Sequence, residues 1–135
     1  MVYIILVNYN GLQDTISCIQ SIKESTFKEF KIIVVDNGSN DESLKYLRAM
    51  EDSVVTILDA GGNLGFSGGN NIGIQYALEN NAEYILLLNN DTVIHRDCLK
   101  ELVMTAQEFD DQAIIGITER LDFNRFRRGG HDTHT

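Results

Sequence analysis

Three short segments of this chain hold residue types that could bind a ligand or an ion. The first is Tyr84-Ile-Leu-Leu-Leu-Asn-Asn-Asp91-Thr92, an apolar run that ends in two amides and a carboxylate. One carboxylate flanked by amides suits a hard divalent cation that is also gripped by phosphate oxygens. An Asx-type turn after a strand needs the same residues, so the segment alone leaves both readings open. The second is Val34-Val35-Asp36-Asn37-Gly38-Ser39. A carboxylate at a strand end there can accept a hydrogen bond from a ring N–H, which uracil and thymine carry at N3 and cytosine does not. Asp, Asn, Gly and Ser are also turn residues, and for this segment alone a plain strand-to-helix turn is the favoured reading.

The third segment, Gly61-Gly-Asn-Leu-Gly-Phe-Ser-Gly-Gly-Asn-Asn-Ile-Gly73, has six glycines in thirteen residues. Such a backbone can pass close to a ligand, and a helix after it would offer free N–H groups to phosphate. A surface loop has this composition too. The segment is not the dinucleotide fingerprint, which belongs after the first strand, where Asn8-Tyr9-Asn10-Gly11 stands instead. It lacks the Gly-Lys-Ser/Thr ending of a P-loop.

These segments need elements to position them. Val2–Val7, Lys31–Asp36, Val54–Leu58, Tyr84–Leu88 and Ala113–Ile117 are short and apolar, as strands buried on both faces are. Leu12, Ile16, Ile19 and Ile22 recur at helical spacing and predict a helix over 12–24. Ser39 and Glu42 have the spacing of a capping box, opening a helix with Leu44, Leu47 and Met50 on one face. The glycine-rich segment 61–73 is expected as a loop, with a helix following it to about Glu79. Leu99, Leu102, Val103 and Ala106 mark a helix over 97–108. Strands alternating with helices predict an α/β fold: a doubly wound, mostly parallel sheet with helices on both faces. The polar segments then gather at the carboxyl edge, where such sheets bind ligands.

The 135 residues suffice for one domain with a core, and 43% of them are hydrophobic. The formal net charge of −9 argues against nucleic-acid binding, which needs a basic face. Residues 1–119 carry 7 basic and 18 acidic side chains, while 120–135 carry 4 and 2. The domain is therefore expected over 1–119. Residues 120–135 lack a clear period and read as an irregular tail, whether a disordered end or the start of a truncated segment. Cys18 and Cys98 have no metal-type spacing and are expected as reduced thiols in a cytoplasmic protein. Val2–Val7 is too short for a signal peptide and has no basic leader. No segment has transmembrane length, so at most a peripheral association with the inner face of a membrane is expected.

Taken in order, Asn8-Tyr9-Asn10, Val35-Asp36-Asn37-Gly38-Ser39, Gly62-Asn63-Leu64-Gly65-Phe66 through Gly69-Asn70-Asn71-Ile72-Gly73, and Leu87-Leu88-Asn89-Asn90-Asp91-Thr92 form a pattern. With it, residues 1–117 resemble the inverting family 2 glycosyltransferases of the GT-A, nucleotide-diphospho-sugar transferase-like fold. The Asn-Asn-Asp-Thr ending is most similar to the rhamnosyltransferase-like branch. The resemblance implies a nucleotide-sugar donor, UDP- or dTDP-linked, and a glycan or lipid-linked acceptor in cell-surface polysaccharide synthesis. It implies that Asp36 contacts the base with Tyr9 in the same pocket, and that Asn71, matching the asparagine before the helix, helps hold the nucleotide. Asn89-Asn90-Asp91 occupies the family's Asp-X-Asp position, so Asp91 and Asn89 would hold Mg²⁺ or Mn²⁺ against the diphosphate. Asn89 departs from the first aspartate and makes the site less anionic. Family members continue well beyond this length, and their later half supplies the acceptor site and the catalytic base. Neither Asp122 nor Asp132 lies in a recognisable motif, and no base is assigned. His95, His131 and His134 read as solvated residues.

Two other classes compete with an enzyme. One is a non-catalytic module that binds a nucleotide sugar. The other is a receiver-like regulatory domain, which leaves the glycine segment unexplained and needs paired acids where Asn8 and Asn10 stand. A homo-oligomer is compatible with the sequence.

Overall fold

The computed structural model describes residues 1–108 and 114–117. Nine elements follow in order: β1 (Val2–Asn8), α1 (Leu12–Lys23), β2 (Phe30–Asp36), α2 (Ser43–Arg48), β3 (Val55–Asp59), α3 (Gly65–Glu79), β4 (Tyr84–Leu88), α4 (Cys98–Gln107) and β5 (Ile114–Ile117). The strands form one sheet in the order β3-β2-β1-β4-β5. Every pairing is parallel. This is the doubly wound architecture the alternating pattern predicts, and the strands fall within a residue or two of their predicted limits. The tail 120–135 and the limits of the domain at 119 lie outside the described residues.

The chain packs on both faces of the sheet. One core joins Ile4, Leu6, Ile32 and Val34 to Ile19 and Ile22 of α1, Leu47 of α2 and Leu99 and Leu102 of α4. The other joins Tyr3, Ile5, Ile33 and Val35 to Ala77 of α3. All seven residues of β1 are buried, which is why its sequence is a continuous apolar run rather than an alternating one. Fully burying one such aliphatic side chain contributes roughly 1.5–3 kcal/mol.

The glycine-rich segment corrects the sequence reading. Only residues 60–64 are loop, and α3 begins at Gly65. Two of its glycines serve packing against β1: a Cβ at Gly69 would lie 2.8 Å from Val7 Cγ1, and one at Gly73 2.3 Å from Ile5 Cγ2. The helix lies so close to β1 that no side chain fits between them. Helix propensity, which disfavours glycine by about 1 kcal/mol relative to alanine, is overridden by this close approach.

The capping box is a second correction. Helix α2 starts at Ser43, not after Ser39, and the residue before it, Glu42, makes no side-chain cap. The Ser39 hydroxyl donates to Asp36 Oδ1 at 2.7 Å and accepts from the Asn10 N–H at 2.9 Å. Asp41 Oδ1 instead accepts the Ser43 N–H at 2.8 Å.

Strand β3 is an edge of the sheet among the described residues, and its outward N–H groups are covered by carboxylates. Glu51 Oε2 accepts from Ile57 N–H at 2.9 Å, and Asp52 Oδ1 from Val54 and Val55 N–H at 2.8 Å each. The Lys23 ammonium donates to Asp52, and with the two amides it holds that carboxyl down at about 2. Acidic side chains on an edge block strand addition.

Candidate nucleotide-sugar site

The register places the strand ends level. Asn8 of β1 pairs with Asp36 of β2, which pairs with Asp59 of β3. The polar segments therefore meet at the carboxyl edge, as a doubly wound sheet requires.

Asp36 is 1% exposed and is built into the scaffold. Its Oδ1 accepts from Asn8 Nδ2 (3.0 Å) and Ser39 Oγ (2.7 Å), and its Oδ2 from the Ser39 N–H (3.1 Å). A carboxylate has about four acceptor positions, so one remains, on Oδ2. Asn8 is itself fully buried, and its Oδ1 accepts from Thr15 Oγ1 at 2.7 Å. The Thr15 hydroxyl in turn accepts from Asn90 Nδ2 at 3.0 Å. Asn90 belongs to the turn closed by Thr92 N–H donating to Asn89 O at 3.0 Å. An unbroken relay thus joins Asp36, at the end of β2, to the turn after β4.

Two further asparagines fix the loops. Asn10, in the left-handed region at φ 51°, accepts from the N–H groups of Asn40 (3.0 Å) and Asp41 (3.2 Å). Its own N–H donates to Ser39 Oγ at 2.9 Å. Asn37, buried, accepts from Leu64 N–H at 3.0 Å and donates to Gly65 O at 2.9 Å, tying β2 to the start of α3. Gly38, at φ 79°, lies against Gly62; a Cβ there would be 2.5 Å from the Gly62 carbonyl carbon. No side chain fits, and the positive φ suits only glycine.

Each residue expected at the site has a clear location. Tyr9 follows β1 at the carboxyl edge and is 45% exposed. Asp91 is exposed in the turn after β4, and Asn89 beside it is half-buried. The Cys18 thiol is pushed up to about 12, first by burial and second by the Asp91 carboxylate. Asn71 does not precede a helix; it lies within α3, exposed, lining an open groove with Leu58, Ile72, Gln75 and Tyr76. It takes no part in the relay. Thr92 is fully buried, and its hydroxyl has no protein partner among the described residues.

The donor set fits a hard cation only if a ligand completes it. Among the described residues, no three His, Cys, Asp or Glu side chains gather to hold a metal. Asp91 has a carboxylate and Asn89 an amide oxygen that would suit such an ion, and Mg²⁺-type ions commonly combine one or two carboxylates with substrate phosphates and water. The segments 8–11, 36–42, 59–65 and 89–94 contain no Lys or Arg. A diphosphate placed among them has no cation from these segments to neutralise it.

The sequence of residues 3–134 matches the family described as "Glycosyl transferase family 2". The chain belongs to that family. It is 41% identical over 100 residues to the low-salt glycan biosynthesis hexosyltransferase Agl10 of Haloferax volcanii, covering 73% of this chain and 30% of the relative. It is 32% identical over 102 residues to the dTDP-rhamnosyl transferase RfbF of Shigella flexneri, covering 75% and 33%. The fold is similar to that of S. aureus TarS 1–349 in complex with UDP-GlcNAc, with TM-score 0.67, 21% identity and coverage of 79% of this chain and 31% of that one. It is also similar to the mannosyltransferase PcManGT from Pyrobaculum calidifontis in complex with GDP-Man and Mn²⁺, with TM-score 0.65, 20% identity and coverage of 73% and 30%. The family 2 assignment and the GT-A fold that the motifs imply both hold. The chain spans about a third of the length of these curated relatives. Among the described residues, no helix is long and apolar enough to cross a membrane.

Proposed function

We propose that this chain binds a UDP- or dTDP-sugar and a divalent cation, as the donor-binding part of a glycosyltransferase that transfers the sugar with inversion to a glycan or lipid-linked acceptor. The observation that carries the reading is the relay from Asp36 to the 89–92 turn. It links a residue suited to a base and a turn suited to a diphosphate, with side chains held at one edge of the sheet.

In this reading the free acceptor position of Asp36 Oδ2 takes the pyrimidine N3–H, which a purine does not offer in the same place. Tyr9 flanks the base. Asn71, on its groove, holds the nucleotide from the α3 side. Asp91 and Asn89 hold Mg²⁺ or Mn²⁺, which when bound supplies Lewis-acid stabilisation of the departing diphosphate. The four edge segments carry no Lys or Arg, which favours a cation there to offset the charge of the anionic donor. The enzyme would work in the cytoplasm, associating at most peripherally with the inner face of a membrane that carries lipid-linked acceptors. A second reading is a module that binds the donor without transferring it.

Titration calorimetry tests the donor. UDP and dTDP are expected to bind more tightly than ADP, and Mn²⁺ is expected to strengthen that binding. Equal affinity for ADP and UDP would remove Asp36 from base selection. An Asp91→Ala variant that kept the full Mn²⁺ effect would remove Asp91 from the metal site. Product formation from labelled donor with a panel of acceptor glycans separates the enzyme from the binding module.

A further inference from the structure

The directions of the hydrogen bonds in the relay are fixed from one end. A carboxylate only accepts, so Asn8 turns its amide nitrogen toward Asp36 Oδ1, at 3.0 Å. Its Oδ1 then faces Thr15, which must donate to it, at 2.7 Å. With its single proton committed, the Thr15 hydroxyl can only accept from Asn90 Nδ2, at 3.0 Å. The Asn90 amide is thereby locked in one of its two orientations. All the bonds point the same way, toward the carboxylate, and such chains polarise and strengthen one another in a buried setting. Asn8 and Thr15 are both fully buried, so water does not compete for the bonds from Thr15 to Asn8 and from Asn8 to Asp36, while Asn90 is half-buried.

The relay enters the turn at Asn90, between Asn89 and Asp91. The backbone of the turn is held by Thr92 N–H to Asn89 O at 3.0 Å. We infer that Thr15 and Asn90 are positioning residues, through which the carboxylate that reads the base also fixes the turn that carries the cation. The inference rests on the donor reading above and deepens it. Its consequence is that removing the Thr15 hydroxyl should loosen the turn and weaken the contribution of the cation to nucleotide binding. It should do so without removing the Asn8–Asp36 bond on the base side.

The test compares wild type with Thr15→Val, which is nearly isosteric, and Thr15→Ser, which keeps the hydroxyl. Two quantities are read: hydrogen exchange of the Thr92 amide in the nucleotide-free protein, and the ratio of UDP affinities with and without Mn²⁺. Thr15→Val removes two hydrogen bonds, and the one that reaches the turn, from Asn90, corresponds by itself to roughly a two- to tenfold effect. Thr15→Val should accelerate Thr92 exchange and shrink the Mn²⁺ ratio by that factor, with metal-free UDP affinity changed less than the ratio. Thr15→Ser should restore both. Asn90→Ala, which leaves the Thr15–Asn8 bond in place, should reproduce the Thr15→Val result if that variant folds poorly. The inference is overturned if these variants exchange Thr92 at the wild-type rate, or if UDP affinity falls equally with and without Mn²⁺, as a general loss of structure would cause. If wild type shows no Mn²⁺-strengthened binding, the donor reading fails, and the Thr92 exchange rates still decide whether Thr15 holds the turn.

Discussion

Gly73 of α3 lies against Ile5 of β1 so closely that a Cβ on the glycine would sit 2.3 Å from Ile5 Cγ2. Ile5 is fully buried between the sheet and this helix, so it has no room to turn away. Gly73→Ala sets two effects against each other. Alanine improves helix propensity by about 1 kcal/mol. Overpacking a fixed core costs about 1–3 kcal/mol, and the contact here is severe enough to lie at the upper end. A net loss of about 1–2 kcal/mol is expected, read as a lower urea midpoint at unchanged slope. Gly62→Ala is the control: nothing lies within 4 Å of its Cβ position, and a change within about 0.5 kcal/mol is expected. A stabilised Gly73→Ala would show that α3 does not press on β1.

The same helix shows what the sequence conceals. Six glycines in thirteen residues read as a loop because glycine is a poor helix former, and the signal for close packing resembles the signal for a turn. Only the partner strand distinguishes them, and that partner, at Ile5 and Val7, is far away in sequence. The strands are legible, because an uninterrupted apolar run has few other uses. Asp36 and Asp91 are legible as polar ends of such runs. Asn8, Thr15 and Asn90 are not, since each acts only through the others. Thr15 leaves one trace: it shares the i, i+4, i+7 row of Ile19 and Ile22, so a polar residue sits on the buried face of α1. The Ser39–Glu42 spacing misleads because the Ser39 hydroxyl oxygen accepts from the Asn10 N–H and from Asn8 Nδ2 instead of from a helix amide.

The two thiols set an alkaline limit to stability. Burial pushes Cys98 from its ordinary value near 9.0 up to about 12, and Cys18 rises likewise. In the fold the protonated thiol is favoured, so this stability is complete below pH 9. From there to about pH 12 the unfolded chain releases protons that the native chain retains, and stability falls as pH rises. Each thiol contributes a loss of about 1.4 kcal/mol per pH unit in that window. Urea unfolding at pH 8 and pH 10 measures it. Wild type should lose about 1.4 kcal/mol more than Cys98→Ala across that interval, the comparison removing lysine and tyrosine effects common to both. Equal losses would mean that Cys98 ionises freely in the folded chain.

An exchange of two residues separates the structural role of Asp36 from its role toward a ligand. Asp36→Asn puts an amide where Asn8 Nδ2, Ser39 Oγ and the Ser39 N–H all donate. At least one donor then faces another donor in a buried site. Leaving one buried polar group unmatched costs about 1–3 kcal/mol, and the lost bonds to a charged acceptor were each worth about 1.5–3 kcal/mol. The single variant should therefore be clearly destabilised. In the double variant Asn8→Asp with Asp36→Asn, the carboxylate moves to the end of β1. There it can accept from both the amide now at the end of β2 and the Thr15 hydroxyl. The Ser39 hydroxyl then accepts from that same amide as readily as it donates in the wild type. Most of the lost stability should return, giving a coupling between the two sites of about 1–3 kcal/mol in a double-mutant cycle. The amide nitrogen is then turned to the residue at position 8 and to Ser39 Oγ, and the amide oxygen left facing the base is a neutral acceptor in place of a charged one, so the preference for UDP over ADP should weaken although the fold is restored. If the double variant recovers both stability and the full wild-type base preference, the charge of Asp36 serves the scaffold and plays no part in base selection. If it recovers neither, the relay does not tolerate a reversed charge, and its direction is fixed by more than the four side chains that compose it.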